Sequence, residues 1–162
     1  MIRYLRWAYA ITAWLLVGAI VVQFLLAGVG VFAPNNFCGA IPDNTIGCGF
    51  TTHATFAAAV LFPLLLLGLI FAFAARAPLR SKALSLGLLG LFVLQGILIW
   101  PYYDAPTEWK PLSALHVVNG ILVLYVAFHV AGLAKDLVLQ TPRSGETASS
   151  EIVVRPAEAK GE

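Results

Sequence analysis

The chain has 162 residues, 60% of them apolar and 11% charged, with a mean hydropathy of +0.86. A soluble domain of this size carries about a quarter charged residues, so the totals exclude that class and point to a membrane protein. The net charge of +2 says little, because the distribution of charge matters more than its sum; no nucleic-acid partner is expected, and at roughly 20 apolar residues per span about four helices fit, without room for a second domain.

Hydropathy predicts four spans, over residues 7–33, 53–75, 83–100 and 112–134. The apolar runs are continuous and lack two-residue alternation, so a β-barrel is excluded. The expected fold is all-α, a four-transmembrane-helix bundle over residues 1–137. The first run is too long for the apolar core of a signal peptide, typically ~7–15 residues, and Pro34 stands where cleavage would be needed. After Lys135 the composition shifts to Ser, Thr, Glu, Ala and Pro. Residues 138–162 therefore read as a disordered tail.

Lys and Arg set the expected orientation. Arg3 and Arg6 precede the first span, and Arg76, Arg80 and Lys82 lie between the second and third. Lys135, Arg143, Arg155 and Lys160 follow the fourth. Nine of the ten basic residues thus fall on one side, and Lys110 alone on the other. Both termini are expected in the cytoplasm of a bacterial-type plasma membrane, with loops 35–49 and 101–111 outside.

The first span opens on an interfacial anchor of Arg3, Tyr4, Arg6 and Trp7. Gln23 lies in its outer half and reads as making an interhelical hydrogen bond rather than binding a ligand. Gly28 and Gly30 suggest close helix approach. The first outer loop is rich in turn formers and holds both cysteines, Cys38 and Cys48. Outside a bacterial membrane they are expected to form a disulfide, worth roughly 2.5–3 kcal/mol for so short a loop. The bridge reads as a structural staple; a redox-active pair is the alternative. Pro63 is expected to kink the second span. Gly87, Gly90 and Gly96 suit the third span to tight packing, and Trp100-Pro101-Tyr102-Tyr103 ends it in an aromatic belt.

An internal repeat runs through this layout. One half reads Val21-Val22-Gln23-Phe24-Leu25-Leu26, loop, His53; the other reads Val93-Leu94-Gln95-Gly96-Ile97-Leu98, loop, His116. Gln to His is 30 positions in the first and 21 in the second, and the longer cysteine loop accounts for the difference. Two helical hairpins related by a pseudo-two-fold axis along the membrane normal are expected. Such an axis would set His53 opposite His116, and both lie near the outer edge of a ~30 Å slab.

Two neutral imidazoles at one depth suit the axial positions of a haem iron, each nitrogen about 2 Å from the metal. Ala54, Ala57, Ala58 and Gly120 would make room for the ring. Asn119 or Gln95 would bond a propionate or orient a histidine. No Cys-x-x-Cys-His motif is present, so the expected cofactor is haem b. His129 follows His116 by thirteen positions, about 220° around a helix, and its counterpart in the second span is Leu66. It is expected to be structural. A bare zinc or copper site needs more than two histidines.

The layout, with His53 at the outer start of span two and Leu115-His116-Val117-Val118-Asn119-Gly120 at that of span four, resembles an uncharacterised family of small bacterial four-helix membrane proteins. More distantly it is similar to one four-helix half of haem A synthase. There a cysteine pair in the first outer loop precedes a histidine in span two and another in span four. The resemblance implies haem binding by His53 and His116, with Cys38 and Cys48 at the matching cysteine positions. The chain departs from that family in having one half, and in carrying Gly49 and Phe50 where a glutamate stands. The expected protein is a cytochrome b-like haem carrier in electron transfer or haem handling, in contact with lipid and with a redox partner. The alternative is a haem-free accessory subunit of a larger membrane complex.

Overall fold

The computed structural model describes residues 1–32, 48–104 and 107–140. Helix α1 runs over Ile2–Phe32. The second span is composite: α2 over Cys48–Phe56, a π-helical segment over Ala57–Leu61, and α3 over Phe62–Ala74. Helix α4 runs over Leu79–Asp104, a 3₁₀ segment over Thr107–Ser113, and α5 over Ala114–Leu139. Four segments, Ile2–Gly30, Thr51–Ala74, Leu79–Ile99 and Pro111–Leu139, are long and apolar enough to cross a bilayer. At 1.5 Å per residue they reach about 31 to 44 Å, against a core of about 30 Å. The outside of the bundle is itself apolar, with Leu25, Ile70, Phe73, Ile97, Val117 and Ile121 exposed. That surface matches a lipid solvent, and the chain is a multi-pass membrane protein.

The helices exceed the hydropathic spans at their ends. Helix α1 begins five residues earlier, because Arg3 and Arg6 are helix formers that hydropathy scores as polar. Helix α4 continues past Trp100 through Pro101 to Asp104, where a loop was expected. Proline in a last turn forfeits only one backbone bond. Helix α5 ends at Leu139, two residues beyond the predicted domain edge. Cys38, the side chain of Cys48, and the predicted tail beyond residue 140 lie outside the described residues.

Helix α1 packs against α5, α2 and α3, while α4 packs against α3 and α5. Spans two and four therefore occupy opposite corners of a square. The seam is built mainly from alanine: Ala10, Ala13, Ala72, Ala127, Ala131 and Ala134 are all buried. Small side chains let helices approach closely, which drives association where lipid offers no hydrophobic contrast. The glycines contribute less than expected. A Cβ at Gly28, Gly87, Gly90 or Gly96 meets no described atom within 4 Å.

Burial repeats from one hairpin to the other. Tyr9, Ala13 and Leu16 precede Gln23 by 14, 10 and 7 positions; Ser81, Ser85 and Leu88 precede Gln95 by the same intervals, and all six are buried. In the returning helices Val123, Ala127, Val130 and Ala134 follow His116 by 7, 11, 14 and 18 positions. Leu61, Leu65, Gly68 and Ala72 follow His53 by 8, 12, 15 and 19. The first hairpin is one residue longer between its histidine and its core.

The π segment absorbs that residue. The Phe62 N–H bonds the carbonyl of Ala57, five positions back. Twelve α-helical steps from His53 to Leu65 would leave them about 120° apart, whereas eleven leave about 20°. One wide turn therefore returns His53 to the core face. It also ends two residues before Pro63, which has no N–H to give. A kink was expected there from the sequence; the irregularity found is this wide turn.

Helix α3 ends in a Schellman motif. The Arg76 N–H bonds Phe73 O and the Ala77 N–H bonds Ala72 O, each at 3.0 Å, with Arg76 at φ 52°. The tight turn brings α4 back antiparallel to α3. In the half of the bundle near this turn, Tyr9 is fully buried, and its hydroxyl shares a 3.1 Å hydrogen bond with Ser85 Oγ. Tyr9→Phe is expected to cost about 0.6–1.7 kcal/mol, the range for single hydrogen bonds inside membranes. Thermal unfolding in detergent checks this; an unchanged midpoint would show the bond to be idle.

Candidate functional site

The two histidines meet at the end of the bundle opposite the Arg76 turn. His53 comes from α2 and His116 from the first turn of α5. Their ring centroids are 6.4 Å apart, with the planes inclined by 58°. They approach from opposite corners, so the pair spans the centre of the bundle.

Each ring is held by the glutamine of its own hairpin. His53 Nδ1 donates to the backbone carbonyl of Gln23 at 3.1 Å, and Gln23 Nε2 donates to the carbonyl of His53 at 3.0 Å. His116 Nδ1 donates to the carbonyl of Gln95 at 2.9 Å, and Gln95 Nε2 donates to the carbonyl of His116 at 2.7 Å. A carbonyl can only accept, so both Nδ1 atoms carry the proton. In the neutral ring the lone pair is then on Nε2. Metal-binding imidazoles are commonly prepared in this way, with the second nitrogen tied to a carbonyl.

The halves differ in one respect. Asn119 is buried, and its Nδ2 donates to Leu91 O at 2.9 Å and to Gln95 Oε1. The residue three positions after His53, where Asn119 stands after His116, is Phe56, which has no donor to offer. Gln23 Oε1 is accordingly buried without a hydrogen-bond partner among the described residues. Gln95 is locked at both ends of its amide, and Gln23 at one.

Several expected roles change. Gln95 orients His116 through its main chain, while its side chain holds the histidine's backbone. Asn119 acts on Gln95 and does not touch either imidazole in the described contacts. Gly120 is needed for Gln95, since a Cβ there would come within 3.3 Å of both Gln95 Nε2 and Phe24 Cζ. Ala54 and Ala58 are exposed, away from the seam, and Ala57 is half-buried. His129 is exposed and lies edge-on to Tyr125 at 4.5 Å, apart from the pair. Gln23 belongs to the site as fully as Gln95. Its signal was the repeated Gln-to-His layout.

Among the described residues no group of three His, Cys, Asp or Glu side chains could enclose a bare metal ion. The candidate donors are the two Nε2 atoms, on rings 6.4 Å apart and tilted by 58°. An iron between two imidazoles, about 2 Å from each nitrogen, sets the ring centroids roughly 6 Å apart. The observed separation is close to that of two imidazoles sharing one metal ion.

Over residues 23–101 the chain is similar to a family of unknown function (DUF6220). That stretch takes in Gln23, His53 and Gln95 and stops before His116 and Asn119. No curated protein and no solved structure matches the chain.

Proposed function

We propose that the protein binds one haem b between His53 and His116 and acts in electron transfer or haem handling. The observation that carries this reading is the facing pair itself: centroids 6.4 Å apart, each Nδ1 given to a carbonyl. Bound haem would supply one-electron redox chemistry. The chain's part is to fix the two nitrogens, through Gln23 on one side and Gln95 with Asn119 on the other.

The same proposal places the two hairpins about a pseudo-two-fold axis along the membrane normal, which the matching burial intervals support. It places both termini in the cytoplasm of a bacterial-type plasma membrane and the pair near the outer face, which the basic residues support. A Cys38–Cys48 disulfide would lie in the loop above the pair. The likeness to one half of haem A synthase is confined to Cys38, Cys48, His53 and His116, and lends weight to haem binding alone.

The test is a reduced-minus-oxidised absorption spectrum of the purified protein. A six-coordinate, low-spin b-type spectrum is expected, and the double substitution His53→Ala, His116→Ala should lower bound haem at least tenfold. No Soret band after expression with ample haem would refute the proposal, as would an unchanged spectrum in the double variant. A colourless preparation that co-purifies with a stable partner would favour a haem-free accessory subunit instead.

A further inference from the structure

A second site lies at the end of the bundle away from the histidines. A groove of about 520 Å³ runs between α1 and α5, walled by Trp7, Ile11, Trp14 and Leu15 on one side and by Lys135 and Val138 on the other. Trp14 is braced edge-on against Phe128 of α5, with centroids 6.1 Å apart. The walls are apolar apart from Lys135, which is exposed. No carboxylate pairs with Lys135 among the described residues; its neighbour Asp136 is exposed and off the groove wall.

The shape and chemistry of the groove define its ligand. Trp7 and Trp14 are seven residues apart, so the apolar floor is about 10 Å long. Lys135 borders this apolar lining and is exposed, at the end of the bundle where Arg3, Arg6, Arg76, Arg80 and Lys82 also collect. Tryptophan at this level favours the headgroup boundary. We propose that the groove holds an anionic phospholipid, its acyl chain along Ile11, Trp14 and Leu15 and its phosphate on Lys135. Clustered basic residues beside a membrane span attract anionic headgroups by about fivefold each. The proposal depends neither on haem nor on which face of the membrane is cytoplasmic.

Native mass spectrometry of the full chain in detergent tests it, with phosphatidylglycerol and phosphatidylcholine of matched acyl chains added separately. Phosphatidylglycerol should be retained at least fivefold better. Lys135→Gln should lower that retention about fivefold, and Lys135→Arg should preserve it. Lys135 is exposed, so both variants should keep the parent's helicity and unfolding midpoint. Equal retention of the two lipids overturns the proposal, and so does an unaffected Lys135→Gln. A dimer, or a complex with another protein, that excludes lipid from the groove would overturn it as well.

Discussion

An extra alanine between Ala58 and Ala59 should abolish haem binding, whereas deletion of Ala58 should not. The reason is register. The π segment over Ala57–Leu61 already absorbs one residue that the second hairpin lacks. A further residue would turn His53 by about 100° and move it 1.5 Å along the axis, off the core face and away from Gln23. Deletion would let the span run as an unbroken α-helix, with His53 still within about 20° of Leu65. It would also put Pro63 in an ordinary helix interior, at a cost of about 3 kcal/mol. The deletion variant should therefore be red but less stable, and the insertion variant colourless. Soret absorbance per mole of protein, read beside the unfolding midpoint, separates the two effects. An insertion variant with a full Soret band would sink the register argument.

Gln95→Leu should cost about 1–3 kcal/mol and Gln23→Leu less than about 1 kcal/mol, although the two glutamines hold equivalent histidines. Single hydrogen bonds inside membranes are worth about 0.6 kcal/mol on average and at most about 1.7. The Gln95 side chain takes part in two, to His116 O and from Asn119. Its loss also leaves buried Asn119 with Leu91 O alone. Among the described residues the Gln23 side chain makes one, and its removal also removes a buried acceptor that has no donor there. The imidazole N–H bonds go to backbone carbonyls and survive both changes. Soret maxima should therefore stay in place while stability falls unequally. Equal losses would show that the Asn119 bond contributes nothing.

The number of spans and the pairing of Gln with His were legible because both are written in composition and order. Long apolar runs need no partner to be recognised, and the polar residues inside them are few enough that their order stands out. The π segment was not legible. Ala57-Ala58-Ala59-Val60-Leu61 has no feature that distinguishes a wide turn from an α turn. Only the burial of Leu65 and Ala72, set against that of Ala127 and Ala134, shows the extra residue. The glycines misled for a related reason. A small side chain permits close approach but does not say which face of the helix meets a neighbour. The alanines on the seam did that work, and Gly120 made space for a glutamine. Asn119 stood out as a polar residue in an apolar run, but its partner depended on how α4 and α5 pack.

Each imidazole is tied to the outgoing helix of its own hairpin, and neither bond crosses between hairpins. The two halves thus arrive with their nitrogens already aimed, and the pair is made only where they join. The gap between the rings is a gauge of that joint. Anything that wedges the hairpins apart, from a thicker bilayer to a docked neighbour, would change the gap while leaving each half intact. A metal held there would feel lateral strain on the protein as a change in its own coordination.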